Sequence, residues 1–259
     1  MGTVNPVVVT PAAAADIATI AKGFVASFTL GNGQFCTKPG LVLVPRGVDA
    51  TRIIAGALED AYPQPVMLTQ GIAEAVERGV AELQEAGATV VAQTSMPGPG
   101  WSASATVLAA PLNLLREGNR VLEECFGAVA VVVEYDDVDE MLRAVGALQG
   151  ALAASVMIAD DDEDASAVLD HVQRKVGRVI VNEWPTGVAF TWAQQHGGPW
   201  PSTSNAASTS VGAAALDRFV RPVAFQGLPD SLLPAPLQKA NPWGIPVRID
   251  GVLVQPEPV

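Results

Sequence analysis

Residues Ala128 to Glu134 read Ala-Val-Ala-Val-Val-Val-Glu, apolar on both alternating faces. A strand of that kind must be covered on both sides, as in a parallel sheet sandwiched between helices. Other strand-like runs fall at Leu41 to Val44, Thr89 to Ala92, Thr106 to Ala109, Ser155 to Ile158 and Arg178 to Val181. Helical patterns alternate with them. A small-residue helix precedes Gly31, and Ile53, Ile54, Ala57 and Leu58 share one face of a helix over Asp49 to Tyr62, with Asp49 as its cap. Ile72, Val76, Val80 and Leu83 mark the next, with Gly87 placed to end it. Asp137 and Glu140 form a capping box ahead of Val138, Met141, Leu142, Val145 and Leu148. The acidic run Asp160 to Asp164 suits a helix N-terminus; Val168, Leu169, Val172 and Val176 then line a helix that Gly177 ends. This order predicts an α/β fold, a mainly parallel sheet flanked by helices with right-handed crossovers.

The character changes after Pro199. Pro201 to Ser210 is rich in Ser and Thr, Val211 to Phe219 reads as a short helix, and Arg221 to Gln226 as a strand. Prolines from Pro229 to Pro258 predict an extended arm. The expected division is therefore 1–211 as an α/β domain and 212–259 as helix, strand and arm.

With 27 acidic and 15 basic residues the formal charge is -12, which argues against nucleic acid or an anionic membrane as partner. The sequence offers no apolar run that reads as a membrane span and no basic n-region of a signal peptide. Two cysteines far apart suggest no disulfide framework, and hence a reducing cytoplasm.

Cys36 lies in Gly31-Asn32-Gly33-Gln34-Phe35-Cys36-Thr37, where two glycines free the backbone just before a thiol. A cysteine presented at a turn between regular elements is a candidate nucleophile. On spacing alone, an isolated cysteine reads first as a small buried hydrophobe. Lys38 can depress the thiol pKa or, as a loop lysine, be solvated. Cys125 reads as packing, and His171 and His196 read as structural residues. No spacing of His, Cys or carboxylates predicts a metal site.

Gly31 to Thr37 resembles the active-site cysteine segment of the aldehyde dehydrogenase superfamily. Glu123-Glu124-Cys125-Phe126-Gly127 is similar to its Glu-Glu-x-Phe-Gly-Pro signature, with Ala128 in place of the proline, and Val181 to Gly187 to its Asn-x-x-Pro-x-Gly turn. The three occur in family order. The resemblance implies Cys36 as nucleophile, its backbone N–H as half of an oxyanion hole, and Glu124 and Phe126 at the nicotinamide side of NAD or NADP. It also implies a small-molecule aldehyde substrate and Arg221 to Gln226 as a subunit-pairing strand.

Gly33 to Thr37, His196 to Pro201 and Asn241 to Pro246 look like the α-ketoglutaric semialdehyde (2,5-dioxovalerate) dehydrogenase subgroup, with long-chain aldehyde dehydrogenases as the near competitor. Met1 to Pro6 resembles the segment that follows the family's catalytic glutamate, so that base and the cofactor-binding domain are expected before Met1. An isolated chain of this kind is expected to be inactive, and to associate with copies of itself or with a cofactor-binding half. The reading of another class is a non-catalytic stand-alone fragment or interaction module.

Overall fold

A computed structural model describes residues 3–94 and 100–256. The residues divide into two units, 1–216 and 217–259, a boundary five residues beyond the expected one.

The first unit is built on a seven-stranded sheet. Its strands are β1 (Asn5–Val9), β2 (Pro39–Pro45), β3 (Thr89–Gln93), β4 (Thr106–Ala110), β5 (Val129–Tyr135), β6 (Ala151–Met157) and β7 (Val176–Val181). They lie in the order β3-β4-β5-β2-β1-β6-β7, and β3 alone runs antiparallel to its neighbour. The helices are α1 (Ile17–Thr29), α2 (Ala50–Ala61), α3 (Gln70–Glu85), α4 (Val138–Ala147) and α5 (Ala165–Val172).

Strand alternation divides the core into two layers. Val7, Val9, Val42, Val44, Ala130 and Val132 face Ile17, Phe24, Phe28, Ile54 and Leu58 of α1 and α2. Val8, Leu41, Leu43, Val129, Val131 and Val133 face Val76, Val80, Leu83, Met141, Val145 and Val168 of α3, α4 and α5. At roughly 25 cal/mol per Å² of apolar area removed from water, these two layers dominate the stability of the unit.

Several expectations are corrected. Asp49 sits at φ 54° and makes no capping bond to α2; its carboxylate takes the Arg52 guanidinium instead. Gly177 does not end α5 but lies within β7, where a Cβ would overlap the Gly197 carbonyl. β1 was not anticipated, because a proline argues against a central strand. Pro6 is accommodated at a register shift between Asn5 and Pro6. The continuous stretch Ala13–Gly33 is, by length and composition, long and apolar enough to cross a membrane. Its residues Ile17, Ala21, Phe24, Val25 and Phe28 are packed in the core. Asp137 caps α4 as expected, its Oδ1 accepting from the Glu140 N–H at 2.7 Å, while Glu140 Oε2 accepts not from the Asp137 N–H but from that of Asp136, at 2.6 Å.

The second unit departs from the simple arm. Ala213–Phe219, at the junction, is a 3-10 helix, and further 3-10 turns occupy Asp230–Leu232 and Ala235–Leu237. Arg221 to Gln226, expected as a strand, is without ladder pairing in the single chain. A hairpin of β8 (Val247–Ile249) and β9 (Val252–Val254) closes through Asp250 and Gly251, both at positive φ. That Asp-Gly pair between apolar residues is a hairpin signal present in the sequence.

Candidate active site

The first two sequence signatures meet just ahead of β2 and β5, at the amino ends of those parallel strands. α1 runs out into a 3-10 turn, Leu30–Gly33, in which Gly31, Asn32 and Gly33 stand at φ 57°, 61° and 71°. A side chain on Gly33 would overlap the Gly127 carbonyl and the Ala128 nitrogen, so the first signature is pressed against the second. Gly127 in turn leaves no room for a Cβ against Val76 of α3. The third signature leaves the end of β7 and packs along α1. Trp184 fills the space over Gly23, and Thr186 Oγ1 lies 2.7 Å from Ser27 Oγ. Asn182 stands at φ 54° and pairs through its amide with both the N–H and the carbonyl of Ile158, at 2.9 and 3.1 Å.

Cys36 emerges from the junction of the first two signatures with a free, exposed thiol. Its backbone is pinned by Asn5, fully buried at the start of β1. Asn5 Nδ2 donates to the carbonyls of Cys36 and Lys38, each at 2.9 Å, and Asn5 Oδ1 accepts from the Ala153 N–H at 3.1 Å. Cys36 Sγ lies 3.4 Å from His196 Nε2. His196 is held by its backbone: its N–H donates to Thr209 Oγ1 at 2.9 Å and its carbonyl accepts from Ser210. Burial pushes the Cys36 thiol up; Glu124 adds to this, while the backbone N–H groups of Cys36 and Thr37 and the Arg178 guanidinium oppose it. Burial, then the Arg178 charge, push the His196 imidazole down. A protonated thiol beside a neutral imidazole is the arrangement in which nitrogen accepts the proton as sulfur attacks.

Glu124 is half-buried beside this pair, and Phe126 presents a partly exposed ring. Burial raises the Glu124 carboxyl above the usual range, with Lys38 the principal opposing charge. A half-sunk carboxylate next to an exposed aromatic face fits a ribose and the flat ring beyond it, since it accepts two hydroxyl hydrogens at once. Cys125 is buried among core residues, as its reading as packing implied.

Three assignments change. Lys38 is not solvated: it is 2% exposed, with Nζ donating to the carbonyls of Cys125 at 3.0 Å and Val129 at 2.7 Å. His196 belongs to the thiol's surroundings, whereas His171 caps its own helix turn through Ala167, 2.8 Å away. Arg178, to which the sequence assigned no role, reaches the carbonyls of Pro185 and Gly187 and bears electrostatically on both Cys36 and His196. Nothing in local spacing joins His196 to Cys36, which are separated by 160 positions.

Known proteins share this fold and a family pattern with the chain. The Aldehyde dehydrogenase family pattern matches residues 1–222, and the chain belongs to that family. It is 46% identical to alpha-ketoglutaric semialdehyde dehydrogenase 2 of Azospirillum brasilense, over 97% of this chain and 49% of that protein. It is 38% identical to alpha-ketoglutaric semialdehyde dehydrogenase of Acinetobacter baylyi, over 98% of this chain and 50% of that one. The chain thus spans about half the length of these curated relatives. Among solved structures, gamma-glutamyl-gamma-aminobutyraldehyde dehydrogenase from Burkholderia cenocepacia superposes with a TM-score of 0.70 at 21% identity, over 84% of this chain and 44% of that one. A mutant form of aldehyde dehydrogenase from Bacillus cereus gives 0.68 at 20% identity, over 85% and 44%. These establish the shared fold: a mostly parallel central sheet flanked by helices.

Proposed function

We propose that this chain supplies the nucleophile and the nicotinamide-side contacts for oxidation of a small aldehyde to a carboxylic acid, with NAD or NADP as oxidant. The observation that carries the proposal is the exposed Cys36 sulfur 3.4 Å from His196 Nε2, with the Glu124 charge acting on the same thiol. In this reading His196 takes the thiol proton as Cys36 adds to the aldehyde carbon, giving a thiohemiacetal. The Cys36 N–H is one half of the donor set for the developing oxyanion. When bound, the nicotinamide cofactor accepts the hydride, and with it the two electrons, that leave the former aldehyde carbon. Water then cleaves the Cys36 thioester, so that aldehyde, oxidised cofactor and water become carboxylate, reduced cofactor and two protons. Glu124 would hold the ribose hydroxyls and Phe126 would pack beside the nicotinamide.

The names of the two curated relatives support α-ketoglutaric semialdehyde as the aldehyde and 2-oxoglutarate as the product. A small aldehyde is thus the proposed ligand, and a cytoplasmic oligomer the proposed setting. Arg221 to Gln226, without ladder pairing of its own, is the proposed pairing segment between copies.

Acylation by p-nitrophenyl acetate tests the thiol's role without any cofactor. One acetyl group is expected on the Cys36 peptide by mass spectrometry, and none in Cys36→Ala. Acetylation confined to Cys125, or none in the wild type, would overturn the assignment.

A further inference from the structure

Lys38 is the only buried charged side chain among the described residues. An ammonium taken out of water is expensive unless it is fully hydrogen-bonded, so its place there needs a reason. Its two carbonyl partners are not scattered. Cys125 and Val129 bracket the turn Phe126-Gly127-Ala128, directly after Glu124. The main chain of Lys38 is itself fixed: its N–H donates to the Phe35 carbonyl at 3.0 Å and its carbonyl accepts from Asn5 Nδ2 at 2.9 Å. One residue therefore ties the loop that presents Cys36 to the loop that presents Glu124 and Phe126.

We propose that Lys38 is a positioning residue for the cofactor side of the site, stapling the 123–129 loop to the Cys36 loop and holding Glu124 in place beside it. The inference rests on the proposed reading of Glu124 as the ribose ligand. An ammonium has three hydrogens, of which the two carbonyls take two, and its positive charge acts on Glu124. That charge opposes the burial that would otherwise protonate the carboxyl. The same positive charge acts on the Cys125 thiol, but Cys125 is a buried packing residue, so Glu124 is the functional recipient. Arg178, not Lys38, is the cation that acts on Cys36.

The test uses the whole chain with Lys38→Met, which removes charge and donors, and Lys38→Gln, which keeps donors and removes charge. Hydrogen exchange followed by mass spectrometry should show the 123–129 amides opening about tenfold faster in Lys38→Met, with β1 and β6 unchanged. Carbon NMR should show the Glu124 carboxyl titrating at higher pH in both variants. Unchanged exchange and an unchanged Glu124 titration in a folded Lys38→Met chain would overturn the staple. If neither variant folds, reductive methylation of the wild type decides: Lys22 and Lys239 should react while Lys38 is spared, and ready methylation of Lys38 in the folded chain would overturn it. Titration with NAD and NADP separates the two readings. A Glu124→Gln chain that binds both as well as wild type, while Lys38→Met still loosens the loop, overturns the ribose role and leaves the staple standing.

Discussion

Cys36 Sγ and His196 Nε2 lie 3.4 Å apart, brought together by two loops that share no sequence neighbourhood. Their electrostatics are complementary: the thiol is pushed up and the imidazole down, so the proton resides on sulfur until attack begins. His196→Gln keeps a polar side chain of similar reach but removes the base. Acyl transfer to Cys36 is expected to slow by about 10² or more, the usual contribution of a general base. The measurement is the rate of p-nitrophenolate release, and a variant within twofold of wild type would show that the imidazole is a bystander.

Arg178 gives a second handle on the same pair. Its charge lowers both Cys36 and His196. Arg178→Met should therefore move the whole pH–rate profile of Cys36 alkylation by iodoacetamide to higher pH. The thiolate fraction at neutral pH falls while the plateau at alkaline pH is retained. A profile unmoved along the pH axis would mean that the guanidinium serves only the carbonyls of Pro185 and Gly187.

Much of this frame was legible beforehand because parallel-sheet strands advertise themselves. Val129 to Val133 are apolar on both faces and can sit only inside two layers. The Asp137 cap of α4 and the glycine turn before Cys36 were likewise local signals with local outcomes. What escaped was non-local. Lys38 is buried because two carbonyls 87 and 91 positions away converge on it, and no pattern in its own neighbourhood encodes that. Gly177 looked like a helix end because nothing near it foretells the Gly197 carbonyl pressing on β7. The β8–β9 hairpin is a different case: its Asp-Gly turn was readable, and the surrounding prolines drew the reading towards an arm.

Gly33 tests the interlock of the first two signatures. Alanine there must adopt a left-handed backbone and also overlap Gly127. Gly33→Ala is expected to destabilise the first unit by about 2–4 kcal/mol, from strain plus overpacking. By calorimetry that corresponds to a Tm lower by roughly 5–15 °C for a unit of this size. Acylation of Cys36 should fall with it even below the transition, because the loop must back away from Gly127. A variant as stable as wild type would mean that the two loops are not in contact.

Tyr135 provides the pH signature of the fold itself. Its ring is 1% exposed and its hydroxyl donates to the Val9 carbonyl at 2.6 Å, across the β5–α4 end of the sheet. Burial, with Asp164 and Asp162 adding to it, holds the phenol protonated well above the ordinary range. An acid whose pKa is raised on folding keeps its proton in the native state while the unfolded chain releases it. Stability must then decline as pH rises past the unfolded tyrosine value of about 10. Lys38, lowered by burial, acts in the opposite sense up to the unfolded lysine value of about 10.4, so a raw stability curve mixes the two. Tyr135→Phe isolates the phenol. It should cost about 1–2 kcal/mol at neutral pH, from the unpaired Val9 carbonyl, and shed part of the alkaline decline. Urea unfolding at about pH 7 and about pH 10.5, on either side of the unfolded phenol's titration, measures both numbers. Parallel curves for variant and wild type would sink the assignment of that decline to Tyr135.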